Sequence, residues 1–137
     1  MLDQMVVIQL ARGVPRRLAR VRAEGALERA GCDGCDTLRA RELDGAEAMR
    51  VAIAGAIADR ARLMVVDDPT VGVDLLVRDE ILLLLRSLAD EGAAILTSSS
   101  EATGLLGANR ALSLSDGELR GSVLPELAAV VPFRRSA

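Results

Sequence analysis

Apolar positions recur at helical spacing along the first third of the chain, over residues 4–12 and 16–30. In the second segment Leu18, Val21, Leu27 and Ala30 are the expected stripe. Gly13 and Pro15 divide the two, glycine suiting a helix end and proline a helix start. Gly31 to Leu43 is a polar connection. Residues 45–61 then predict a helix rich in small residues, with Ala46, Ala48, Ala52, Ala54, Ala56 and Ala58 permitting close approach to a neighbour. Leu63 to Val66 carries no polar alternation and predicts a short strand covered on both faces. Leu75 to Ala89 predicts an amphipathic helix ended by Gly92. Ala93 to Leu96 predicts a second buried strand leading into Thr97-Ser98-Ser99-Ser100. Ala111 to Leu114 and Glu118 to Val123, joined by Asp116-Gly117, predict a hairpin. Pro125 to Val130 predicts a last short helix, and Pro132 to Ala137 a tail.

Helices first, then strand, helix, strand and hairpin, point to an α/β layer with a helical piece in front of it. The expected division is a helical part over 1–61, a core part over 62–123 and a tail over 124–137. Residues 63–74, LMVVDDPTVGVD, are the chemically richest stretch. An apolar strand ends in two adjacent carboxylates, and a glycine-containing loop closed by a third carboxylate follows.

Composition removes several chemistries. All 17 basic residues are arginine, and lysine, histidine, tryptophan and tyrosine are absent. A phosphate-binding loop G-x-x-x-x-G-K-[ST] therefore cannot occur in this chain, nor can a lysine Schiff base or a histidine general base. The net charge of -3 argues against a nucleic-acid surface. The longest aliphatic run, Ile81 to Leu85, falls far short of the ~20 residues a membrane span needs. Met1 to Leu10 lacks a basic leader and cleavage site, so a cytoplasmic chain is expected. Cys32 and Cys35 form a C-x-x-C, but without histidine or a third cysteine they cannot complete the usual tetrahedral zinc site. They are expected to be reduced loop or core thiols.

Four landmarks in order resemble the ATP-binding cassette (ABC) ATPases. LDGAEAMRVAIAGAI, residues 43–57, is similar to the LSGGQ signature and the helix that follows it. LMVVDDPTVGVD resembles their Walker B strand and D-loop. ILTSSSE, residues 95–101, sits where the switch-histidine loop belongs, and ALSLSDGELRG, residues 111–121, resembles the closing hairpin. ARGVPRRLAR has the flavour of drug-exporter cassettes. The resemblance covers the C-terminal half only: a helical subdomain, then the second half of a RecA-like, P-loop NTPase parallel sheet with its β-hairpin. It implies a phosphate-binding loop and a glutamine loop upstream of Met1, Gln4 lying too close to the first helix to be that glutamine.

By this resemblance ATP and Mg2+ are the ligands. Asp67 would hold the metal through water. Asp68 would stand where a glutamate polarises the attacking water, and Ser99 at the switch-histidine position. Asp44, Gly45, Ala46 and Glu47 would be the signature residues facing a partner's nucleotide, and Asp74 the D-loop acid. Expected partners are a second ABC ATPase subunit or an N-terminal half-cassette, together with a membrane permease subunit that would hold the chain at the inner face of the plasma membrane.

The departures fall on polar contacts. Asp44 replaces the signature serine and brings a like charge towards a phosphate. Two unit charges ~4 Å apart cost about 4 kcal/mol at an effective dielectric of ~20, roughly a thousandfold in affinity. Ala46 adds a methyl group where amides should approach phosphate. Asp68 is one methylene shorter than glutamate, and Ser99 replaces the γ-phosphate sensor. The expectation is a degenerate cassette subunit, inactive in isolation. The alternative is the C-terminal part of a complete ATPase with a misplaced start. A receiver domain needs an early acid pair and a lysine, neither of which this chain has, and would be recognised by labelling with a small phosphodonor; a poorly folding remnant would be recognised by aggregation.

Overall fold

The first two segments fold as α1 (Leu2–Ala11) and α2 (Arg16–Arg29), an antiparallel pair turning through Gly13 and Pro15. The computed structural model describes residues 1–32, 34–101 and 107–122. The expected helix at 125–130, the tail after it and the third segment of the expected division, 124–137, lie outside them. Leu2, Met5, Val6 and Gln9 make the buried stripe of α1. On α2 the buried stripe is Ala19, Ala23, Ala26, Leu27 and Ala30. Leu18 and Val21, expected inside, point outward. A ridge of alanines lets α2 lie close against both of its neighbours, and the bulkier side chains are displaced to the outer face.

A connection containing one 3₁₀ turn (Ala40–Glu42) leads to α3 (Gly45–Ala58). Two buried clusters meet on that helix. Val51, Ala54 and Ala58 join the core of α1 and α2, whereas Ile53 joins Met64, Ile81, Leu85 and Leu88. The helical part and the strand part therefore both pack on α3. Ala48 and Ala52 face solvent, so only part of the small-residue surface is used for packing.

β1 (Leu63–Val66) and β2 (Ala94–Thr97) pair in parallel, Leu63 opposite Ala94 and Val66 opposite Thr97. Between them runs α4 (Leu75–Asp90), which buries Ile81, Leu85 and Leu88 against α3 and one face of the strands. The prediction of strands buried on both faces fails here. Met64 is 6% exposed but Leu63, Val65 and Leu96 are 63%, 71% and 61% exposed. Among the described residues no element lies over that second face, so an apolar run that reads as doubly buried is covered on one side.

β3 (Leu112–Ser115) and β4 (Glu118–Ser122) form a separate antiparallel hairpin with an irregularity at Leu112/Ser113. Its turn residues, Asp116 and Gly117, both have positive φ (51° and 79°), the condition for the two-residue turn that matches strand twist. Among the described residues no helix is long and apolar enough to cross a membrane.

Candidate functional site

Parallel pairing brings the C-terminal ends of β1 and β2 side by side. Asp67 and Asp68 leave one strand where Ser98, Ser99 and Ser100 leave the other. The Ser98 backbone N–H donates to the Val66 carbonyl (3.2 Å), extending the ladder one step past β2. The Ser98 hydroxyl donates to Asp67 Oδ1 and accepts the backbone N–H of Asp68 (2.9 Å). Ser100 Oγ donates to Asp68 Oδ2 at 3.3 Å. Each carboxylate is thus met by a hydroxyl from the neighbouring strand end.

Ser99, the residue expected at the sensor position, does not join them. Its Oγ donates to the Glu101 carbonyl (3.0 Å) and accepts the Glu101 N–H (3.2 Å), closing on its own turn. Ser98 and Ser100, whose hydroxyls do reach the acids, are the functional candidates that motif matching passes over.

Asp68 adopts a left-handed backbone, φ 40°. A non-glycine residue there carries strain on the order of 1 kcal/mol, and such positions gather at functional sites. Two backbone hydrogen bonds hold it, its N–H to Ser98 Oγ and its carbonyl from the Val71 N–H at 3.2 Å, beside the Ser100 hydroxyl on its carboxylate. Pro69 is buried behind it.

The remaining acids have local work. Asp74 is the N-cap of α4, its Oδ1 accepting the N–H groups of Leu76 and Val77, each at 3.0 Å. Asp44 is the N-cap of α3 and forms a reciprocal capping box with Glu47. The Glu47 N–H donates to Asp44 Oδ1 (2.8 Å) and the Asp44 N–H to Glu47 Oε2 (2.9 Å). Such a box satisfies two of the helix's free donors. Gly45 and Ala46 supply the first N–H groups of that helix, at its positive end.

Arg50, one turn further along α3, ties the parts together. Its Nη1 donates to the Ala30 carbonyl at the end of α2 (2.9 Å), and its Nη2 pairs with Glu80 of α4. Its side chain is only 13% exposed, so it is held rather than solvated.

The donor set at Asp67 suits a hard cation that keeps most of its water. Magnesium is usually held by one or two carboxylates plus substrate phosphates. Asp67, with the Ser98 hydroxyl beside it, could supply one such carboxylate. Among the described residues no group of three or more histidine, cysteine or acidic side chains forms a cage of its own.

A helical hairpin, a shared helix and a parallel strand pair make part of an α/β domain with the P-loop NTPase fold. Comparison with solved structures supports that class. A dimeric ATP-binding cassette in a post-hydrolysis state with ADP and Pi bound superposes with a TM-score of 0.78 at 22% identity, over 89% of this chain and 55% of that one. No family model matches the chain. Among curated proteins, the energy-coupling factor transporter ATP-binding protein EcfA of Methanothermobacter thermautotrophicus is 35% identical over 108 residues, 78% of this chain and 35% of that protein. An uncharacterized ABC transporter ATP-binding protein of Mycobacterium tuberculosis is 33% identical over 125 residues, 91% of this chain and 38% of that protein. The chain belongs to the ABC transporter ATPase family, and it spans little more than a third of the length of these curated relatives.

Proposed function

We propose that this chain is the acid-bearing half of an ABC transporter ATPase, a degenerate subunit that engages ATP and Mg2+ only as part of a composite cassette. In this reading Asp67 binds magnesium through water, and Asp68 orients the attacking water with Ser100 at its side. Asp74 and the Asp44–Glu47 box face a second cassette across a dimer. The partners are a phosphate-loop-bearing half or a second ATPase subunit, and a membrane permease at the cytoplasmic face. No nucleic acid is involved.

One observation carries the reading. The acid pair sits at the end of a parallel strand pair whose other face, Leu63, Val65 and Leu96, is bare, in a chain that contains no lysine for a phosphate loop. In this reading the chain supplies the magnesium side of a nucleotide pocket, and a partner supplies the phosphate-loop lysine and the cover of the sheet. The test is reconstitution with a polypeptide supplying a G-x-x-x-x-G-K-[ST] strand–loop–helix unit. The pair should retain Mg-ATP on a gel-filtration column, and Asp67→Asn should abolish retention. Retention by the complementary polypeptide regardless of this chain would reject the reading.

A second reading is favoured by the fraction of its relatives that the chain spans: the same residues are the C-terminal part of a complete ATPase. An in-frame phosphate-loop sequence upstream in the DNA supports it, and an early stop codon there eliminates it.

A further inference from the structure

Cys32 and Cys35 belong to neither acidic group, yet the fold presents them as a pair. The Cys32 N–H donates to the Leu27 carbonyl (3.0 Å) where α2 ends. The Cys35 N–H donates back to the Cys32 carbonyl at 3.1 Å. That i to i+3 bond closes a tight turn, whose end Cα atoms lie within about 7 Å. A disulfide bridges Cα atoms up to ~6.8 Å apart, so the backbone already holds the two residues near bonding range. Both thiols are free and almost fully buried, at 3% and 2% exposure, in the core shared by α1, α2 and α3. They also face each other. Burial, then the charge and side-chain hydrogen bond of Cys35, with a smaller push from Glu47, raise the Cys32 thiol to about 12 against the pull of Arg50.

The turn is mechanically connected. Arg50 donates to the Ala30 carbonyl just before it, and its Nη1 lies 2.7 Å from where a Cβ on Gly31 would stand. The same guanidinium reaches Glu80 on α4. The turn therefore shares one arginine with the helix that carries the capping box and with the helix that Asp74 caps.

We propose that Cys32 and Cys35 form a reversible disulfide, a redox-responsive clasp on the segment between α2 and α3. The oxidant is a small-molecule disulfide. One cysteine, deprotonated, attacks a sulfur of R–S–S–R and expels one RS⁻, leaving a mixed disulfide on the protein. The second thiolate attacks the protein-bound sulfur and expels the other RS⁻. Two protein thiols are oxidised, R–S–S–R is reduced to two RSH, and the two cysteine protons end on the released thiolates. Because the protonated, buried pair offers little thiolate at neutral pH, the first attack waits on local opening of the turn, and exchange is slow compared with an exposed thiol.

The test uses the whole chain, incubated with oxidised glutathione in mildly alkaline buffer, alkylated under denaturing conditions and weighed intact. The expected product has lost two hydrogens, carries neither alkyl groups nor glutathione, returns to the doubly alkylated form after dithiothreitol, and melts at a higher temperature than the reduced chain. Cys35→Ser should trap one glutathione on Cys32; if that variant does not fold, Cys32→Ser should trap it on Cys35. Two alkylated thiols after prolonged oxidation, glutathione on both cysteines, or a disulfide-linked dimer would each overturn the proposal.

Discussion

Val65 and Met64 are neighbours on β1 that face opposite sides of the sheet, and they should respond to mutation very differently. Met64 is 6% exposed and packs with Ile53, Ile81 and Leu85; Val65 is 71% exposed. Truncating a buried methionine to alanine costs about 2–5 kcal/mol. Val65→Thr keeps the β-branched shape and places its hydroxyl in water, so its cost in the isolated chain should stay within about 0.5 kcal/mol. Urea unfolding followed by far-ultraviolet circular dichroism reads the contrast. With a slope of roughly 1–3 kcal/mol per molar urea, Met64→Ala should lower the midpoint by about 1 M or more and Val65→Thr by a few tenths at most. The order should change once a complementary half-cassette covers the face. Burying that hydroxyl unpaired then costs about 1–3 kcal/mol, or roughly 5- to 150-fold weaker association. If Val65→Thr alone destabilises the isolated chain as much as Met64→Ala, the face is already covered and the composite-cassette reasoning fails.

Other consequences follow from the same structure. Asp74→Ala removes the cap of α4 and should cost about 1 kcal/mol in thermal or urea unfolding, while Asp74→Ser should recover most of it. Asp44→Ser should likewise leave stability within about 0.5 kcal/mol, because serine caps as well as aspartate, whereas Asp44→Ala should lose about 1 kcal/mol. A double-mutant cycle on Arg50 and Glu80 should give a coupling of only about 0.2–1 kcal/mol, Glu80 being 63% exposed, although Arg50→Ala alone should cost more because it also leaves the Ala30 carbonyl. The Cys32 thiol is raised from 9.0 to about 12 on folding, so the unfolded chain releases its proton first. Stability should be full below pH 9.0, fall as pH rises from there towards about 12, and fall less in Cys32→Ala.

Much of this fold is legible in the sequence because its punctuation is strong. Gly13 with Pro15, and Asp116 with Gly117, place their turns where the structure has them, and the apolar run at 63–66 is β1 to the residue. What escapes a linear reading depends on neighbours. The buried side of α2 is its alanine ridge, since close helix packing rewards small residues over the Leu18–Val21 side. One bare sheet face cannot be inferred from Leu63–Val66, where every residue is apolar whichever way it points. At the site, resemblance leads to Asp67 and Asp68 and names Ser99, whereas the hydroxyls that meet the acids are those of Ser98 and Ser100, which depends on how the two strand ends meet in space. The D-x-x-E pattern at Asp44 and Glu47 is also a capping signal, and the structure uses it for capping.

The most direct test of the account is a calorimetric titration of Mg-ATP into the purified chain alone. On the proposed reading, a chain with acids for the metal but no lysine to grip the phosphates should show no saturable binding, or a dissociation constant weaker than about 1 mM. Saturable, stoichiometric binding in the micromolar range would contradict it.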